Sequence, residues 1–77
     1  MATVSEALAA TLRSLREQRG LSQEQVSESV EVSQPTIARW ETGSRTPTVS
    51  NLYAVSTAYN TTPQKILEET DNLSGMG

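Results

Sequence analysis

Two closely spaced helix-start signals constrain the fold of this 77-residue chain more than any other feature. Ser22-x-x-Gln25 has the form of a capping box, in which a hydroxyl side chain and the residue three positions later bond each other's backbone amides. Ser33 is a second N-cap residue, so the pattern predicts short helices over residues 23–30 and 34–42. Because only three residues connect them, the two helices must cross steeply instead of lying antiparallel.

Apolar residues at helical spacing predict three more helices around this pair. One covers residues 4–19, between a capping box at Thr3 and Gly20; another follows Thr48, and the last follows Thr62. No segment alternates polar and apolar residues as a strand does, so the predicted fold class is all-α with five helices. The apolar content of 35% is sufficient for one small core and therefore for a single domain.

The predicted domain ends where the helical periodicity ends. Residues 1–69 are interpreted as a helix-turn-helix domain, with the helix-turn-helix itself at about 23–42. Residues 70–77 show no periodicity and are expected to form a flexible C-terminal tail. A glycine-containing tail would equally serve as a linker to an oligomerisation domain, and the sequence leaves both readings open.

The lack of cysteine and histidine narrows the function classes. Disulfides, zinc sites of the usual kinds and Ser-His-Asp triads each need one of these residues. No apolar run is long enough to span a membrane, and residues 1–6 lack the basic and apolar regions of a signal peptide. We therefore expect a cytoplasmic binding module rather than an enzyme, with no cofactor, no metal and no membrane partner.

The charge of the chain is acidic but unevenly placed. Six basic and nine acidic residues give a net charge of −3, whereas nucleic-acid-binding domains are usually basic. Residues 21–43 hold four glutamates and one arginine and so carry a net charge of −3 themselves. Because the remaining residues balance, the placement of individual charges decides which partners the chain can bind, and the net charge does not.

Several motifs resemble the phage repressor and Cro family, the Xre-type helix-turn-helix proteins. They are the sequence GLSQ at residues 20–23, the sequence VSQPTIARWETG at residues 32–43, Pro47, and the helix that contains Leu52. The resemblance covers about residues 5–68 and implies a compact five-helix, repressor-type domain. It also implies a sequence-specific regulator of transcription that binds the major groove of double-stranded operator DNA, usually as a homodimer.

The resemblance makes residues 34–42 the recognition helix, whose inner face holds Ile37 and Trp40. The outer face then supplies the candidate base contacts, which are Gln34, Pro35, Thr36 and Arg39. Glutamine can bind adenine and arginine can bind guanine, each through two hydrogen bonds. Other readings stay open, since Gln34 and Arg39 can be solvated or ion-paired surface residues and Pro35 a first-turn helix former.

Contacts to the DNA backbone are expected at the start of the supporting helix and after the recognition helix. The resemblance brings the first terminus against a phosphate, where exposed amides favour an anion. Arg45 carries the only full charge in the loop after Gly43. The complete set of candidate backbone contacts is Ser22, Gln23, Ser33, Thr42, Ser44, Arg45 and Thr46. Ser22 and Ser33 also have the simpler role of capping their helices.

Two charged positions receive a structural interpretation instead. The resemblance implies an internal ion pair between Arg16 and Glu41, while Arg13 and Arg19 are expected to be solvated or to reach a flanking phosphate. Glu31 stands at the turn where the family usually has glycine, so a left-handed backbone there carries a cost of about 1 kcal/mol or more. Together with Glu24 and Glu28 it forms an acidic face that must point away from DNA.

The leading hypothesis is therefore a repressor that binds an inverted-repeat operator, encoded by a bacterium or phage and associated with the nucleoid when bound. A small-molecule effector is not expected in this domain. The alternative is a protein-interaction module of the same fold that uses its acidic surface, in the manner of an antitoxin. The candidate dimer contacts are Tyr53, Ile66, Leu67 and Leu73, with the reservation that Ile66 is better suited to the core.

Overall fold

The computed structural model describes residues 2–75, and within that range α-helices are the only regular secondary structure. The five helices are α1 Val4–Gln18, α2 Gln23–Val30, α3 Gln34–Thr42, α4 Val49–Ala58 and α5 Pro63–Ser74. The predicted all-α fold class is thus confirmed, and α2 and α3 have the predicted bounds. None of the helices among the described residues is long and apolar enough to cross a membrane.

Every helix begins at a hydroxyl residue whose side chain accepts a hydrogen bond from a backbone amide in the first turn. The five N-cap residues are Thr3, Ser22, Ser33, Thr48 and Thr62. Both predicted capping boxes are complete, since Glu6 and Gln25 each accept from the amide of their own N-cap residue, at 3.0 and 2.8 Å. A cap of this kind stabilises a helix by about 1 kcal/mol, so helix starts are determined locally.

The core lies between α1 and the remaining helices. It contains Leu8, Leu12, Leu15, Val26, Val30, Ile37, Trp40, Val55, Tyr59 and Ile66, all buried. Two residues that the sequence pattern places on apolar stripes, Val4 and Val49, are exposed instead. Both are the first residue of their helix, and the buried residues of α1 and α4 lie in the later turns.

Helix α5 continues to Ser74, so the prediction of an unstructured tail from residue 70 is wrong for residues 70–74. The side chains of Thr70 and Ser74 are buried, and each satisfies its hydroxyl by donating to a carbonyl oxygen one turn earlier, at 2.8 and 3.0 Å. Thr11 is buried in the same way on α1, which packs against α5. Small hydroxyl residues allow close helix packing but leave no apolar periodicity. Residues 76 and 77 of the predicted tail lie outside the described residues.

The turn between α2 and α3 has the left-handed backbone that the sequence analysis considered. Glu31 has φ 61° and ψ 43°, and the amide of Val32 then donates to the carbonyl oxygen of Ser27 at 3.1 Å. Ser27 is buried, and its small side chain allows the two helices to cross closely. The turn therefore keeps the geometry usually supplied by glycine, with a glutamate that carries the steric cost.

Candidate nucleic-acid interface

Helix α3 buries one face and leaves the other free. Ile37, Trp40 and Glu41 are buried, whereas the outer face holds Gln34, Pro35, Arg39 and Thr42, all exposed. These exposed residues form a polar ridge along the outer side of α3, called the α3 ridge below. Three of the four candidate base contacts thus lie together on one exposed face.

The fourth candidate, Thr36, is half-buried instead of exposed, and its hydroxyl is already hydrogen-bonded within the protein. Its Oγ1 lies 2.8 Å from the Oγ of Ser33, and its backbone amide donates to that same Oγ at 3.3 Å. Thr36 and Ser33 therefore act first as a local cap of α3. Any contact of either hydroxyl with DNA has to share this hydrogen bond.

Arg39 extends from the exposed face of α3 without an acidic partner. Within residues 2–75 the ion pairs are Arg13–Glu17 and Arg16–Glu41, and Arg39 takes part in neither. The surface ion pair considered for Arg39 is thus not formed, and all of its N–H donors remain available on the outer face.

The loop after α3 folds back onto the end of that helix. Gly43 has φ 81°, and the carbonyl oxygen of Arg39 then accepts from the Oγ1 of Thr42 at 3.2 Å and from the amide of Arg45 at 3.3 Å. Ser44 lies in the same cluster, with its Oγ 3.1 Å from that of Thr42. These bonds fix the backbone of Arg45 beside the C-terminal end of α3, and the side chains of Arg45 and of Thr46 after it are exposed.

The buried ion pair implied by the resemblance is present. The Nε of Arg16 donates to Oε2 of Glu41 at 2.7 Å, and an Nη atom of Arg16 donates to Oε1 at 3.0 Å. The other Nη donates to the carbonyl oxygen of Leu21 at 2.8 Å. The hydrogen bond to Glu41 raises the pKa of Arg16, so the guanidinium remains charged. Arg16 thus ties α1 to the end of α3 and to the residue that precedes the N-cap of α2.

The same carboxylate continues into a chain of hydrogen bonds that the sequence analysis missed. Nε2 of Gln23 donates to Oε1 of Glu41 at 3.1 Å, and Nε2 of Gln34 donates to Oε1 of Gln23 at 2.6 Å. Gln23 and Gln34 are the first residues of α2 and α3, so both helix starts and the ion pair are joined. No spacing along the sequence reveals this contact, because it depends on how α2 and α3 cross.

Two other arginines differ in role. Arg13 makes an exposed pair with Glu17 on α1 at 3.4 Å, in line with the expected solvated position. Arg19 does not simply extend into solvent, because its Nε donates to the carbonyl oxygen of Tyr59 at 2.7 Å. Tyr59 ends α4, so a cation at this point satisfies a carbonyl at the negative end of that helix. Arg19 is exposed, as expected for a solvated residue, and its Nε is in addition anchored to the end of α4.

Glutamates dominate the exposed side of α2. Glu24, Glu28 and Glu31 are all exposed, on the side of the helix opposite to buried Val26 and Val30. Gln23, by contrast, is half-buried and turned toward α3. The hydrogen bond between Gln23 and Gln34 joins the start of α2 to the exposed face of α3, while the acidic side chains, of which Glu24 lies in the first turn of α2, are on the opposite side from Val26 and Val30.

Comparisons with known proteins add an independent result. The helix-turn-helix family model HTH_3 matches residues 12–66. Two crystal structures of the clp gene regulator ClgR from Corynebacterium glutamicum are similar to the chain. The first has a TM-score of 0.92 and 25% identity, and the match covers 97% of this chain and 80% of that one. The second has a TM-score of 0.87 and 26% identity, and the match covers 95% of each chain. The restriction-modification controller protein C.AhdI from Aeromonas hydrophila is similar with a TM-score of 0.77 and 26% identity, over 80% of this chain and 94% of that one. A search of curated protein sequences found no match.

Proposed function

The chain belongs to the helix-turn-helix family HTH_3 and is a DNA-binding transcription regulator, and from this premise we propose that it is a repressor that binds an inverted-repeat operator as a homodimer. The observation that carries the proposal is the exposed α3 ridge with unpaired Arg39 and the loop cation Arg45 at its end. In this proposal the protein performs no catalysis. It occupies a promoter and blocks polymerase.

Recognition of bases is proposed for the outer face of α3, lying in the major groove. Gln34 would bind adenine through N6 and N7, and Arg39 would bind guanine through O6 and N7. Pro35 has no backbone N–H and can offer only apolar contact, for which the methyl group of thymine is the matching partner. Thr36 is a secondary base contact, since its hydroxyl is shared with Ser33.

Contacts to phosphates would hold the ridge in register. The proposed set is Ser22, Gln23, Ser33, Thr42, Ser44, Arg45 and Thr46, which lie at the starts of α2 and α3 and in the loop after α3. The exposed amides at the start of α2 favour a phosphate, and Arg45 supplies a full positive charge. With so few cations, binding should depend on salt less steeply than it does for a strongly basic domain.

A homodimer is proposed because one recognition helix reads too few base pairs to find a unique site in a genome. The face best suited to a second copy is the outer side of α4, where Val49 and Tyr53 are 72% and 56% exposed. Residues 46–64 hold no charged residue, so two acidic chains can meet there without repulsion. Leu67 and Leu73, both exposed, lie about one-third of a turn apart around α5 and almost two turns apart along it, so they do not form one patch. Ile66 is fully buried in the core and is not part of the interface.

The cellular role follows the same proposal. ClgR and C.AhdI are described as a clp gene regulator and a restriction-modification controller, both bacterial. We propose that this chain likewise controls a small group of genes in a bacterium or phage, and acts in the cytoplasm where the DNA lies.

Selection of protein-bound duplexes from a random DNA pool tests the proposal directly. We expect enrichment of an inverted repeat with half-site centres about 34 Å apart, and two chains per duplex in sedimentation. The matched control is Arg39→Ala, which should select a motif that has lost one defined base pair in each half-site. Enrichment of no sequence, or one chain per saturated duplex, would overturn the repressor proposal and favour the protein-interaction module.

A further inference from the structure

Pro35 lies at the centre of the exposed face of α3. Ile37 is buried two residues later, and a step of two residues in an α-helix turns by about 200°, so Pro35 lies almost opposite to it. Arg39 and Thr42 follow Pro35 after about one and two turns and are exposed as well. When the α3 ridge lies in the major groove, the ring of Pro35 near the start of the helix therefore faces the edges of the bases.

The ring of Pro35 is apolar, and the polar groups beside it in the first turn are already bonded within the protein. Pro35 has no backbone N–H to offer to a base. The hydroxyls of Ser33 and Thr36 lie 2.8 Å apart and bond each other, and the amide of Thr36 donates to the Oγ of Ser33 at 3.3 Å. Contact between Pro35 and a base is therefore contact between apolar groups.

A contact of this kind reads only one feature of a pyrimidine. Thymine presents O4 as an acceptor and cytosine presents its N4 amino group as a donor, but an apolar ring bonds neither. The feature that the ring detects is the methyl group on C5 of thymine, because its burial against the ring removes apolar surface from water. In 5-methylcytosine the same ring carbon carries the same methyl group.

We infer that Pro35 recognises the pyrimidine 5-methyl group and not thymine as such, so that 5-methylcytosine takes the place of thymine in the operator. The inference rests on the proposed function and adds a form of regulation to it. An operator with cytosine at this position would be bound weakly, and the same operator with 5-methylcytosine strongly. The methylation state of the DNA would then control occupancy of the operator, with no change in the protein itself.

A purely structural role for Pro35 predicts a different result. Proline is favoured in the first turn of a helix for its fixed φ angle alone. In that case its replacement changes the stability of the chain, or its affinity for all duplexes, and leaves the effect of each methyl group on binding as it was. The dependence of the methyl effect on Pro35 therefore separates the two roles.

The experiment measures the Kd of the full chain by fluorescence anisotropy on duplexes that carry the sequence selected from the random pool. Each thymine in turn is replaced by uracil in both half-sites, which removes the methyl group and keeps the hydrogen-bonding edge. We expect one thymine at which this change weakens binding about fifteenfold, or about fourfold for each half-site. At the same position, 5-methylcytosine should be preferred over cytosine by the same factor.

Two variants connect both methyl effects to Pro35. Pro35→Gly removes the ring, so it should bind the thymine and uracil duplexes equally, and likewise the 5-methylcytosine and cytosine duplexes. Pro35→Val supplies another apolar side chain and should restore both methyl effects. The matched control is Pro63→Gly, which makes the same change in the first turn of α5 and should keep both effects of the wild-type chain.

Circular-dichroism melts establish that each variant is folded, and the comparison of the four pyrimidines by the wild-type chain needs no variant. The inference would be overturned if no thymine showed a methyl effect, if the effect persisted in Pro35→Gly, or if 5-methylcytosine bound no better than cytosine. Each of these results leaves the proposed function intact. Failure of the wild-type chain to select any sequence would overturn both.

Discussion

Removal of Arg16 is the most informative perturbation of this fold. The side chain of Glu41 is only 3% exposed and that of Arg16 13%, and two of the three hydrogen bonds to the carboxylate come from Arg16. Arg16→Met would leave a buried carboxylate with one neutral partner, Gln23. Breaking a buried pair in this way costs about 3–5 kcal/mol, because the remaining charge is uncompensated.

The size of that loss can be set against the stability of the whole domain. A chain of this length has a free energy of unfolding of about 4–11 kcal/mol, so Arg16→Met should lose from about a quarter to all of that stability. Arg16→Met/Glu41→Leu removes both charges and should be more stable than Arg16→Met alone, since no unpaired charge remains. The non-additivity of the two changes is the specific expectation.

Urea denaturation followed by circular dichroism measures these free energies. The control is Arg13→Met, which breaks the exposed Arg13–Glu17 pair and should change stability by about 0.5 kcal/mol or less. A free energy of unfolding for Arg16→Met within about 1 kcal/mol of the wild-type value would contradict this expectation. A double variant that is less stable than Arg16→Met would contradict it as well.

Further predictions concern recognition, salt, backbone strain and assembly. Arg39→Ala should cost about 1–3 kcal/mol on the cognate site and relax preference at one base pair per half-site in competition binding; uniform loss would make Arg39 a phosphate contact. Arg45→Ala should reduce the slope of log K against log salt by about one unit for each subunit that contacts DNA. Glu31→Gly should stabilise the chain by about 0.5–1 kcal/mol in urea denaturation, because φ 61° suits glycine, and an unchanged midpoint would contradict this. Tyr53→Glu should weaken dimerisation in sedimentation without changing the melting curve of the monomer, since Tyr53 is exposed on α4.

The number of helices and the residues at which they begin could be predicted from the amino-acid sequence alone. Each N-cap bond joins residues three positions apart, so the information lies within one turn of the chain. Apolar spacing predicted the buried faces of α2 and α3. The left-handed turn at Glu31 was indicated by the family pattern, which usually has glycine at that position. The α3 ridge of candidate base contacts could be predicted for the same reason, because a helix with a buried face has a defined opposite face.

The polar contacts between the helices, in contrast, depend on the tertiary structure. The hydrogen bonds Gln23–Glu41 and Gln34–Gln23 link residues 18 and 11 positions apart, and Arg19 reaches Tyr59 across 40 positions. The last turn of α5 likewise depends on α1, since Thr70 and Ser74 are small polar residues that become buried only because two helices pack closely. Polar side chains have no periodicity that reveals their partners, and their hydrogen bonds exist only once the crossing of the helices is set.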